Sequence, residues 1–220
     1  LGDNTALLFI SDEHTPSPPR AAEAAVTCTG SAADPARAAD LVAQWYPDER
    51  LEPIQGRPLG SVLCPRIGAV YAGRFDGIDI ICDRQLTVAR PSSLTGWVRG
   101  AAGDRRVVLH LMRSVVDQFA FAVWQGGELE RSLSLSPNNG VVESIGDPLP
   151  FEAPYWRGSH PVTPDFDGAE RYPLPFHPLS LGERALHALA GFIPVGRVDP
   201  GDIDAEDVPM RGFRRVLKET

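Results

Sequence analysis

Cysteine is scarce in this chain. Only Cys28, Cys64 and Cys82 occur, the number is odd, and no two stand in a Cys-x-x-Cys pair. A disulfide framework and a structural zinc site both need cysteines in matched sets, so neither is expected. This usage fits a reducing compartment, and the expected localisation is cytoplasmic. No run of residues approaches the ~20 apolar positions that a membrane-spanning helix needs. No signal peptide is read at the start, where Leu1-Gly2-Asp3-Asn4 leads straight into TALLFIS. Basic charge is also short: 21 Lys and Arg stand against 29 Asp and Glu, a formal net charge of -8. Proteins that grip phosphate backbones usually carry the opposite excess. The basic cluster Arg211, Arg214, Arg215 and Lys218 reads as a solvated chain end, so neither a nucleic-acid partner nor a membrane is expected. The familiar catalytic signatures are missing too. The chain has no G-x-G-x-x-G, no G-x-x-x-x-G-K-[ST], no H-E-x-x-H and no G-x-S-x-G. These absences exclude several large enzyme classes but not enzymes in general. No cofactor and no metal are expected from motifs.

The chain has 220 residues, 43% of them hydrophobic and 23% charged. That is enough for one sizeable core, and no composition shift marks a boundary, so 1–220 reads as a single domain. TALLFIS at 5–11 reads as a buried strand. Residues 12–33, rich in Pro, Ala, Ser and Thr, read as a surface loop. Asp34-Pro35 is a helix start, an N-cap carboxylate followed by proline at the first helical position. Leu41, Val42 and Trp45 stripe a helix over 35–46 that Pro47 stops. Residues 51–67 carry three prolines and read as mostly irregular. Strands at 69–75 and 78–84 flank Asp76-Gly77, a hairpin turn pair. Pro91-Ser92-Ser93 introduces a short helix. RRVVLHLM at 105–112 is apolar on both faces, which implies a central strand.

The next arm, 118–125, meets Gly126-Gly127, a pair suited to the positive φ of a two-residue turn. Pairing Gln125 with Glu128 places Phe121 opposite Ser132 and Phe119 opposite Ser134 in a regular hairpin. Ser132 and Ser134 then either mark where a covered face runs out to solvent, or line a shallow groove beside an aromatic floor. Residues 137–178, which include PLPFEAPYW and YPLPFHPL, read as an extended segment wrapping the core. Ser180-Leu181-Gly182-Glu183 reads as a capping box that opens a helix over about 181–193. Residues 199–210 are acidic and loop-like, and GFRRVL is either a last strand or a tail. Together these elements describe an α+β fold: a mixed, largely antiparallel sheet with about three helices and long Pro-rich wrapping segments.

The combination TALLFI, DIICDR, RRVVLHLM-x-SVVDQFAFAVW, RSLSLSP, PLPFE-x-PYW and YPLPFHPL, with the final helix, spans nearly the whole chain. It resembles an actinobacterial family of proteins known only as a domain of unknown function. The resemblance implies a bacterial cytosolic protein. It brings no activity, cofactor or catalytic residue.

Candidate site residues come from the chain itself. His110, Arg113, Ser114 and Asp117 are the densest polar set near the central strands. His110 is either a satisfied core histidine or a general base oriented by Asp117. Arg113 is either a bend-fixing partner or the holder of an anionic group. Ser132, Ser134 and Trp156 are the further ligand-binding candidates, with core cover as the alternative for Trp156. Asp79 and Asp83 share a strand face and raise the question of a hard-cation pair. The functional expectation is a non-catalytic module that binds a protein or small molecule. The alternative is a small-molecule hydrolase or transferase with its pocket near the ends of strands 78–84 and 105–113.

Overall fold

The computed structural model describes residues 4–12, 34–75, 77–162, 172–194 and 196–217. Nine strands form one sheet: β1 (Thr5–Ser11), β2 (Glu49–Pro58), β3 (Ala69–Arg74), β4 (Ile78–Asp83), β5 (Arg106–Arg113), β6 (Gln118–Gln125), β7 (Glu128–Ser136), β8 (Gly140–Ile145) and β9 (Pro209–Leu217). Their order is β2-β9-β3-β4-β1-β5-β6-β7-β8. Every neighbouring pair runs antiparallel. The α+β expectation holds, and the sheet is antiparallel throughout rather than mixed. Among the described residues the helices are α1 (Pro35–Trp45), α2 (Thr95–Ala102), α3 (Ala153–Trp156) and α4 (Pro178–Ala190). No helix among them is long and apolar enough to cross a membrane. The expected loop at 12–33 lies outside the described residues apart from Asp12.

The two faces of the sheet carry separate apolar clusters because side chains alternate along each strand. One face presents Leu8, Ile81, Leu109, Ala120, Ala122 and Trp124 to α1 and α2. α1 starts as its sequence dictates, with the Asp34 carboxylate accepting the Ala36 N–H at 2.9 Å. Trp97 of α2 packs edge-on against Trp45 of α1 at 4.8 Å and donates its indole N–H to the Trp45 carbonyl. The other face presents Leu7, Phe9, Val108, Met112, Phe119 and Phe121 to α4 and the wrapping segment. α4 lies very close here: a Cβ added at Gly182 would meet Met112 Sδ at 2.5 Å. Glycine is therefore required where the helix crosses β5 and β6.

Several local readings change. The 51–67 stretch contains most of β2, which among the described residues pairs only with β9. Its prolines are compatible with a strand because β2 borders the sheet and one side needs no ladder donors. GFRRVL belongs to β9, which lies inside the sheet between β2 and β3. Arg215, expected at a solvated end, has a side chain only 2% exposed. It pairs with Glu49 at 3.1 Å and with Asp83 at 3.2 Å, and its guanidinium lies over the Tyr46 ring. Asp79 is held by Arg74 and Arg105, so the two carboxylates of β4 serve separate ion pairs and do not share a cation. α4 begins at Pro178, ahead of the expected capping box. His177 is its N-cap, and Nδ1 accepts the Leu179 N–H.

The hairpin register also departs from the regular one. Gln125 pairs with Glu128 and Trp124 with Leu129, but Val123 then pairs with Arg131. Glu130 is an extra residue, a β-bulge that shifts every later position of β7 by one. Phe121 therefore faces Leu133 and Phe119 faces Leu135, while Ser132 and Ser134 face Ala122 and Ala120. The serines sit on the opposite side of the sheet from the phenylalanines, and the serine-beside-phenylalanine groove does not form.

Candidate ligand-binding site

The residues singled out from the sequence are dispersed. His110 is 1% exposed. Its Nε2 lies 2.8 Å from the Gly182 carbonyl, which can only accept, so Nε2 carries the proton. Nδ1 then accepts from the Thr5 hydroxyl at 2.8 Å. Burial drives the imidazole pKa down to about 4, against the opposing pull of the Gly182 bond. Asp117 turns the chain between β5 and β6 with φ of 46° and lies 3.7 Å from His177 Nε2, not near His110. The structure thus does not bring His110 and Asp117 together, and both ring nitrogens of His110 are engaged elsewhere. Arg113 is exposed beside Gln118 and lines a hollow of about 590 Å³ with Arg90 and Asn139. Ser132 is fully buried and donates to Glu143, which also accepts from the Ser92 backbone and hydroxyl. Burial works to raise the Glu143 carboxyl, but these donors outweigh it and hold it below its usual range. Ser134 is buried too, and its hydroxyl lacks a partner among the described residues. Trp156 packs edge-on against Phe176 at 4.9 Å and donates to Glu152. It is core cover for the buried Arg131–Glu152 pair, whose closest approach is 2.6 Å.

Among the described residues a separate concavity lies beside the C-terminal half of α4. A cavity of about 800 Å³ is lined by Leu149, Phe151, Pro154 and Tyr155 of the wrapping segment and by Ala188 and Leu189 of α4. Arg106, His160, Arg184, His187 and Asp199 supply its polar groups. An adjoining hollow of about 430 Å³ shares Tyr155, Arg184 and His187. The wrapping segment can line a cavity because its prolines keep it extended and α3 is a single short turn. Tyr155 is fixed by donating to the Ser180 carbonyl at 2.9 Å, and His160 stacks on its ring at 4.2 Å. Burial pushes the Tyr155 phenol up, so it stays a neutral donor.

His187 is the best-oriented titratable group in this cavity. Arg184 NH1 stands 3.2 Å from Nδ1 and can only donate, so Nδ1 accepts and Nε2 carries the proton. Nε2 then donates to Asp202 Oδ1 at 3.0 Å. Asp202 Oδ2 accepts the backbone N–H groups of Val198 and Asp199, each at 2.8 Å. Burial works to raise the Asp202 carboxyl, but those two donors and His187 hold it below its usual range. A carboxylate fixed at three points therefore orients an imidazole that is still 15% exposed. His187, Asp199 and Asp202 also offer ligand atoms within 4.8 Å of one another, a donor set suited to a transition-metal ion. A metal on Nε2 would require that nitrogen to lose its proton and Nδ1 to gain one beside the Arg184 cation.

The sequence flagged none of these groups as a set. Their positions, 149–160, 184–189 and 199–202, have no common spacing, and the cavity exists only because the wrap is laid against α4. Comparison with known families then decides membership. A model for a family of unknown function, DUF6928, matches residues 7–213. The chain belongs to that family. The match spans all nine strands in whole or in part, and it contains both the wrapping segment and α4. No curated protein matches the chain, and no solved structure does.

Proposed function

We propose that this DUF6928 protein is a non-catalytic, cytoplasmic binding module for a small molecule with an apolar body and one anionic group. The observation that carries the reading is the wall chemistry of the α4 cavity. Its volume suits a small organic ligand. Its floor is aliphatic and aromatic, and Arg106 and Arg184 bring cationic groups and His160 a ring donor, against the one lining carboxylate of Asp199, in a chain of net charge -8. The free thiols of Cys64 and Cys82 support the cytoplasmic setting.

The test is a thermal-shift screen with a series of aliphatic and aromatic carboxylates. A member present at about 100 times its Kd stabilises the fold by about 2.7 kcal/mol, which raises Tm visibly. Ala188→Trp, which fills the cavity, should abolish the rise, and Arg184→Ala should weaken it. If no carboxylate raises Tm, or if the filled variant responds equally, the proposal fails.

Catalysis in the same cavity is a second reading, supported by the Asp202-oriented imidazole of His187. It places the general base at His187 rather than His110. It requires turnover that His187→Gln removes while ligand binding persists.

A further inference from the structure

We propose a second site, independent of the α4 cavity, that binds a compact multiply charged oxyanion, either a phosphate or a polycarboxylate. It is a hollow of about 690 Å³ against the β2–β9–β3 side of the sheet, walled by the 59–68 connection. Arg57, Arg66, Arg214 and Arg215 line it, and among the described residues no acidic one does. Such a gathering is unexpected in a chain with eight more acidic than basic side chains.

The charges there are poorly compensated. Arg57 and Arg66 are both exposed and have no ion-pair partner among the described residues. Arg214 has only a 3.7 Å approach to Glu52, which Arg50 also holds, at 2.6 Å. Arg215 differs: its terminal nitrogens are committed to Glu49 and Asp83, so its charge is offset. Its side chain shares a sheet face with Phe213 and lies over Tyr46, so the exposed Arg57, Arg66 and Arg214 carry the site. Three guanidinium groups sharing one concavity repel one another, and a bound oxyanion converts that repulsion into charge-assisted hydrogen bonds. Guanidinium suits this role because its donors match the oxygens of carboxylate and phosphate in pairs. Arg57, Arg66 and Arg214 line a single hollow, a footprint that suits a compact anion better than a nucleic-acid strand.

Equilibrium dialysis of the full chain with pyrophosphate, citrate and a short single-stranded oligonucleotide tests this. Pyrophosphate or citrate should bind in one equivalent at low salt and weaken as salt rises. Binding of only one of them assigns the anion as phosphate or carboxylate. Arg57→Ala and Arg66→Ala should each weaken binding about tenfold, the loss of one charge-assisted contact. Both residues are exposed, so an unchanged circular dichroism spectrum is expected. Ala188→Trp should leave this binding intact, which separates the site from the α4 cavity. The proposal is overturned if neither small anion binds at millimolar concentration, if both arginine variants bind as well as wild type, or if only the oligonucleotide binds.

Discussion

His110 and His187 both depend on α4, and both have each ring nitrogen engaged. His110 lies under the helix and meets the carbonyl of Gly182 and the hydroxyl of Thr5. His187 lies on the helix and meets Arg184 and Asp202. The first pair of partners belongs to packed backbone and a buried strand. The second includes an exposed arginine that can swing away. A satisfied hydrogen-bond count therefore does not separate a core strut from a site residue. What separates them is solvent access and whether a partner can move at little cost.

The sharpest way to break this comparison is on its closed side. Arg131 and Glu152 form a doubly hydrogen-bonded ion pair that is almost fully buried under the wrapping segment. Replacing Glu152 with Leu strands a buried guanidinium and should cost about 3–5 kcal/mol, read as a fall in the urea midpoint. Next in size is the titration of His110. Its folded pKa of about 4 lies below the ordinary 6.5, so between those values the unfolded chain binds more protons. Stability from this group is complete above about pH 6.5 and is lost as pH falls toward 4. The loss is on the order of 3 kcal/mol, and a denaturation series across that range should show it. His110→Gln should flatten the curve, and an unchanged curve would show that another group titrates there.

On the open side the expected stability effects shrink. His187→Gln should shift unfolding by no more than about 1 kcal/mol, because the lost contacts are partly solvated. The same change should sharply reduce carboxylate binding. A large stability loss with unchanged binding would make His187 a strut like His110. Arg113→Ala should be the mildest, within about 0.5 kcal/mol, since Arg113 is exposed and its contact with Gln118 is 3.5 Å long.

Much of the framework was legible in local pattern. Asp34-Pro35 announced α1, the doubly apolar RRVVLHLM announced a central strand, and Gly126-Gly127 announced the β6–β7 turn. The bulge at Glu130 was not legible from period alone, because a strand with one extra residue still alternates. Side-chain size held the missing signal. Leu133 and Leu135 opposite Phe121 and Phe119, with serines opposite alanines, pack large with large and small with small, which the regular register does not. β2 was missed because its prolines argue against a strand unless its edge position is known. The candidate site was the least legible part. His187, Asp202 and Tyr155 meet only after α4 and an irregular segment pack together, and no periodic pattern encodes that contact.

Among the described residues β2 and β8 are the border strands, and each presents a row of backbone groups without a described strand beyond it. Such borders are templates on which a stray strand can assemble. β2 interrupts its border with Pro53 and Pro58 and with a register shift between Ile54 and Arg57. β8 is six residues long and carries its own shift, where Glu143 opposite Ser134 gives way to Val141 opposite Leu135. Neither border offers a long flat ladder. These irregularities protect the folded chain from edge-to-edge aggregation.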